Sequence, residues 1–189
     1  MTECPRVELA PGYSIAQVIN GCWQLTPDHG GGPDSRKDTL RRFAELVDHG
    51  FTTFDCADIY TGTEEMLGEF RRMHGGTQSI QVHTKFVPNK QSLAELDEKT
   101  IDARIDQSLQ KLGVDTLDLV QFHWWDYAVT GLDRMYERLL RAQSIGKIRL
   151  LGVTNFNTEY LLKLVDQSAS IVSMQAQYSL LDRRPERHM

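Results

Sequence analysis

Nothing in the 189-residue sequence approaches the run of about 20 apolar residues that crosses a bilayer. The opening Met1-Thr2-Glu3-Cys4-Pro5-Arg6 has no basic start leading into an apolar stretch. Neither a membrane-spanning nor a secreted chain is expected, and a cytoplasmic one is. Cysteine is scarce. Cys4, Cys22 and Cys56 lie far apart with no CxxC pair, which excludes a disulfide framework or a zinc finger and suits a reducing compartment. Positive charge is in deficit: the net charge of −5 argues against nucleic acid or an anionic membrane as the main partner, since both need a basic face. His49, His74, His83 and His188 share no ligand spacing, so no metal site is expected.

What is present is an alternation of two patterns. Short, mostly apolar runs at 18–23, 52–55, 80–85, 117–123, 148–154 and 170–177 read as strands buried on both faces. Between them lie segments of helical period. Residues 35–49 put Leu40, Phe43, Leu46 and Val47 on one face, with Asp34 as N-cap and Gly50 as stop. Residues 100–112 carry Ile101, Ile105, Leu109 and Leu112 and close on Gly113. Further helices are predicted at 63–73, 132–144 and 158–168. Ahead of all of these, the turn Ala10-Pro11-Gly12-Tyr13 predicts a small β-hairpin between Val7 and Val18.

Strand and helix repeating at roughly 20–40 residues require parallel strands with crossover helices. An open nucleotide-binding sheet would carry a Gly-rich fingerprint after its first strand. Here that strand runs into Gly21-Cys22-Trp23-Gln24-Leu25, and the chain contains no GxGxxG. Polar side chains gather instead at strand C-termini: Asp55, Lys85, His123, Asn155 and Gln175. That distribution suits a (β/α)8 TIM-type barrel, whose active site is built from the ends of several strands. A whole barrel takes about 250 residues and eight strands, whereas six strand–helix units are countable here. The expectation is a single domain over residues 1–189, an incomplete α/β barrel lacking the last two units, with exposed sheet edges. His29-Gly30-Gly31-Gly32 has the look of an esterase oxyanion loop, but without a GxSxG elbow it reads as a loop above the first strand. Asp118 reads as structural, although it is placed near the catalytic end of its strand.

The strand-end residues form a coherent acid catalyst if they meet. Reducing a carbonyl leaves negative charge on oxygen and calls for a proton donor. A tyrosine, with an ordinary pKa of about 10, could serve if a lysine ammonium lowered that value. A carboxylate would keep the lysine charged, and a histidine would position the oxygen. The order of the motifs is what makes the pattern specific. Asp55-Cys56-Ala57-Asp58-Ile59-Tyr60 with Glu64-Glu65-Met66-Leu67-Gly68, then Thr84-Lys85, then His123-Trp124, resembles the aldo-keto reductase family. So do Gly146-Lys147-Ile148-Arg149, Gly152-Val153-Thr154-Asn155-Phe156 and Gln175-Ala176-Gln177-Tyr178-Ser179-Leu180. The resemblance runs from about Gly21 to the last residue.

The resemblance implies an NAD(P)H-dependent reductase of aldehydes or ketones. It makes Tyr60 the proton donor, Lys85 and Asp55 the pair that depresses its pKa, and His123 the residue that orients a small-molecule carbonyl. Thr154, Asn155 and Gln175 would hold the nicotinamide of NADPH. Trp23, Trp124 and Trp125 would line the substrate pocket, with Trp125 standing where many relatives have proline. Cys56 replaces the usual threonine, which reads as a packing change. The family's last two units, with the aromatic that stacks on the nicotinamide and the loop that grips the 2′-phosphate, have no counterpart here. A competing expectation is therefore an inactive truncated remnant, or a non-catalytic interaction subunit on the same scaffold.

Overall fold

The computed structural model describes residues 4–26, 36–74, 80–168 and 170–187. The predicted cap Asp34, the loop at 29–32 and His188 lie outside them. Two strands, β1 (Arg6–Ala10) and β2 (Tyr13–Ala16), pair antiparallel around Gly12, which takes the positive φ of 70° that the turn demands. Then come β3 (Asn20–Gly21), α1 (Arg36–Asp48), β4 (Thr53–Asp55), α2 (Thr63–His74), β5 (Gln81–Phe86) and α3 (Glu98–Leu112). They are followed by β6 (Leu117–Phe122), α4 (Leu132–Ser144), β7 (Ile148–Thr154), α5 (Thr158–Gln167) and β8 (Ile171–Gln175). Strands β3 to β8 form one parallel sheet in sequence order, which is the order a barrel wall requires.

Alternation along each strand sorts side chains between two layers. Phe54, with Phe43 of α1 and Phe70 of α2, faces the helices, the rings meeting edge-on at 5.0 and 5.5 Å. Helix α3 begins where Asp97 accepts the Thr100 N–H at 2.8 Å and ends at Gly113 in the left-handed region. The α2–α3 contact is unusually close, because a Cβ on Gly68 would lie 2.2 Å from the Lys111 carbonyl oxygen.

The hairpin records how far the sheet curls. Arg6 donates to Thr52 Oγ1 and the Ala16 N–H to Thr53 Oγ1, while the Tyr13 hydroxyl meets His83 Nε2 at 3.2 Å. Arg149 stacks on the Tyr13 ring, and the apolar residues of the hairpin pack on Leu150 and Val172. One small hairpin thus touches β4, β5, β7 and β8, which is possible only if the sheet bends round it. It covers the end of the curl where the strands begin. Asp118 also belongs to that end, holding Arg71 and the Val82 N–H at 2.9 Å each. Its structural reading stands, and its placement near the catalytic end does not. The expected first strand at 18–23 shrinks to Asn20–Gly21, because Trp23–Leu25 turns into a short 3-10 helix.

Candidate active site

The opposite end of the curl gathers the polar strand termini. Asp55 closes β4, Lys85 is next to last in β5, His123 follows β6, Thr154 closes β7 and Gln175 closes β8. Parity aims them: with Phe54 and Phe122 committed to the helix side, Asp55 and His123 face inward. Lys85 is buried and donates to Asp55 Oδ2 at 2.6 Å and to the Cys56 carbonyl at 2.9 Å. The other carboxylate oxygen accepts from Gln121 Nε2 at 3.0 Å. Sequence reading missed Gln121. Two residues before His123 on an apolar strand, it shares that residue's parity, and this was the signal that could have found it.

Tyr60 reaches the same cluster from the β4–α2 loop, which is stitched to the end of β5. The Asp58 N–H donates to the Lys85 carbonyl at 3.2 Å, and the Asp58 carboxylate accepts the Val87 N–H and pairs with Arg104 at 2.5 Å. Burial pushes Asp58 up to about 7 against the pull of Arg104. The Tyr60 N–H donates to the Ala57 carbonyl at 3.0 Å, setting the ring 5.7 Å from Lys85 Nζ.

The expectation that Lys85 depresses the tyrosine needs correction. Burial first, and the Asp55 charge second, push Tyr60 up to about 12. Burial, which penalises the phenolate, is the larger cause, and the Asp55 charge, held in the same cluster by its 2.6 Å pair with Lys85, adds to it.

His123 is buried, and its Nδ1 lies 3.1 Å from the Thr154 carbonyl oxygen. A carbonyl can only accept, so Nδ1 carries the proton. Burial holds the ring below the usual histidine range, which leaves Nε2 a lone pair, buried and with no partner among the described residues. Asn155 stands exposed at a φ of 57°, its N–H donating to the Gln175 carbonyl at 2.8 Å. Thr154 Oγ1 donates to Gln175 Oε1 at 3.3 Å.

The three tryptophans part company. Trp125, 43 % exposed, sets its ring edge-on to His123 at 4.3 Å and donates to the Pro88 carbonyl at 2.6 Å. Trp23 is 46 % exposed after β3. Trp124, at 2 % exposed, packs on Phe122 in the helix-side layer and donates to the Asp126 carbonyl. Its expected place in the pocket is corrected by parity, since the residue next to an inward His123 faces outward. Among the described residues, no cluster of side chains could hold a metal ion.

A model of the aldo/keto reductase family matches residues 17–189. An aldo-keto reductase of Mycobacterium sp. (strain KMS) is 32% identical over 186 residues, covering 98% of this chain and 62% of its own length. The methylglyoxal reductase DkgA of Yersinia pestis is 26% identical over 186 residues, with coverages of 97% and 61%. Among solved structures, the thermostable aldo-keto reductase Tm1743, in complex with the inhibitor epalrestat, superposes with a TM-score of 0.80 at 25% identity, covering 97% of this chain and 66% of that one. The chain thus spans about six tenths of the length of these curated relatives.

Proposed function

The chain belongs to the aldo-keto reductase family, and on that premise we propose that it carries the proton-donating half of an NADPH-dependent reductase of small aldehydes and ketones. The observation that supports this best is the Lys85–Asp55 pair of 2.6 Å set beside Tyr60 and the unpartnered His123 Nε2, all on one rim. Tyr60 gives its proton to the carbonyl oxygen as negative charge develops there. At about 12 the phenol remains more acidic than the alcohol being formed, so the transfer runs downhill. Lys85 faces the phenolate that results, and Gln121 with Asp55 keeps the ammonium in place. His123 accepts at Nε2 a hydrogen bond from the alcohol hydroxyl, and it donates to the carbonyl oxygen once it has itself taken a proton. Trp23 and Trp125 wall the mouth.

The residues fit a nicotinamide. Gln175 spends its carbonyl on Thr154 and keeps its amide N–H, while the Asn155 side chain is exposed beside it. A carboxamide offers the complementary donor and acceptor. When bound, the cofactor supplies the hydride. Titrating the purified chain with NADPH and NADH by fluorescence, then following NADPH oxidation with methylglyoxal and aromatic aldehydes, tests the reading. Tyr60→Phe is expected to cut turnover by about 100-fold or more with cofactor affinity unchanged. No NADPH binding up to millimolar concentration would refute it.

A further inference from the structure

Two of the three cysteines, remote in sequence, meet behind this site. The β3–β4 register sets Asn20 beside Phe54 and Gly21 beside Asp55. One step further brings Cys22 beside Cys56, and the ladder does continue. The Cys22 N–H donates to the Asp55 carbonyl at 2.9 Å as the next rung between β3 and β4, while the Cys56 N–H extends the β4–β5 ladder to the His83 carbonyl at 2.7 Å. Parity puts both side chains on the helix side, where they are 1 % and 0 % exposed within the same apolar layer. Neighbouring strands run about 4.8 Å apart, inside the roughly 4.4–6.8 Å between Cα atoms that a disulfide spans. Among the described residues each thiol otherwise makes only long hydrogen bonds, to the Asn20 carbonyl at 3.6 Å and the Ala57 carbonyl at 3.8 Å.

We propose that Cys22 and Cys56 form an oxidative modification site, closing a cross-strand disulfide in the folded protein under oxidants of the peroxide class. One thiolate attacks hydrogen peroxide to give a sulfenic acid and water, and the second thiol displaces a further water as the S–S bond forms. Two electrons and two protons leave the thiols, and two waters result. Side chains directly opposite on parallel strands sit slightly wider apart than a relaxed disulfide prefers, so the bond is strained and readily reduced again. The bridge ties the Trp23 loop to the segment carrying Asp55, whose neighbour Cys56 lends its carbonyl to Lys85. It would therefore stiffen the rim on which Tyr60 is mounted.

The surroundings set its pace. Burial and the Asp55 charge push Cys22 up to about 12 against Lys85, and burial with Glu64 pushes Cys56 up as well. The reaction is slow at neutral pH and more than roughly tenfold faster at about pH 9, as the thiolate fraction grows.

The test is peroxide treatment of the folded chain, followed by intact mass and peptide mapping. A loss of about 2 Da with a single Cys22–Cys56 peptide, reversed by dithiothreitol and retained in Cys4→Ser, is the expected result. Random closure of an unfolded chain favours the shorter Cys4–Cys22 loop. Bridges containing Cys4, a Cys22–Cys56 bridge formed only at unfolding urea concentrations, or no bridge at pH 9 would each overturn the proposal. Mapping on the unmutated chain keeps the outcome independent of whether Cys22→Ser or Cys56→Ser folds.

Discussion

Replacing Lys85 by Met separates the charge of the buried pair from its packing, since methionine keeps most of the apolar stem. The side chains of Lys85 and Asp55 are 7% and 16% exposed, so water can replace little of the lost contacts. Asp55 would keep only the Gln121 N–H on one oxygen, and the Cys56 carbonyl would lose its donor. Stranding one partner of a buried ion pair costs about 3–5 kcal/mol. The surviving Gln121 bond and the residual exposure of Asp55 place this case near the lower end, at about 3 kcal/mol. For a chain of this size that corresponds to a fall in Tm of about 6–12 °C. Asp55→Asn alone should cost less, because an uncharged amide can remain beside Gln121. The double variant Asp55→Asn/Lys85→Met should recover part of the loss, giving a coupling of about 1–3 kcal/mol in a urea double-mutant cycle at pH 7. Single losses below about 1 kcal/mol that simply add would refute the idea that the pair is an interdependent buried unit.

Other outcomes follow from the same geometry. Asp58 titrates near 7 in the fold rather than in the ordinary carboxylate range, so its contribution to stability is fully present below about pH 4 and is lost as pH rises through about 7. Asp58→Asn should remove up to about 1.4 kcal/mol per pH unit from that slope; urea midpoints between pH 4 and 8 that keep the same slope in both proteins would contradict it. Gly68→Ala gains helix propensity but drives a methyl group against the Lys111 carbonyl at 2.2 Å, so a net loss of about 1–3 kcal/mol is expected, whereas an unchanged or raised Tm would contradict the close α2–α3 contact. His123→Gln should lower kcat/KM for carbonyl reduction by about 100-fold while sparing NADPH affinity, and an equal loss in cofactor binding would assign the residue to the cofactor instead. Trp125→Ala, not Trp124→Phe, should change the KM ranking across aldehydes, because only Trp125 borders His123.

The sequence by itself determined the kind and order of the elements. Strands buried on both faces must be apolar runs and amphipathic helices must repeat near 3.6 residues, so five helices and the β4 to β8 strands could be read within a few residues of their ends. It also determined which polar side chains stand at strand termini, hence that Asp55, Lys85, His123, Asn155 and Gln175 share one rim once the strands lie parallel and in order.

Only the tertiary structure decided how those groups divide their interactions. Asp55 has two oxygens, and whether they serve Lys85, Gln121 or Tyr60 depends on distances between strands that no local pattern encodes. The outcome gave Lys85 and Gln121 one oxygen each, while burial of the phenol, with the Asp55 charge second, left Tyr60 raised rather than lowered. The tryptophans needed the parity of β6 carried past its end. The meeting of Cys22 and Cys56 needed the β3–β4 register. Secondary structure follows from periodicities carried along the chain, whereas charge pairing and thiol proximity are set by contacts across it.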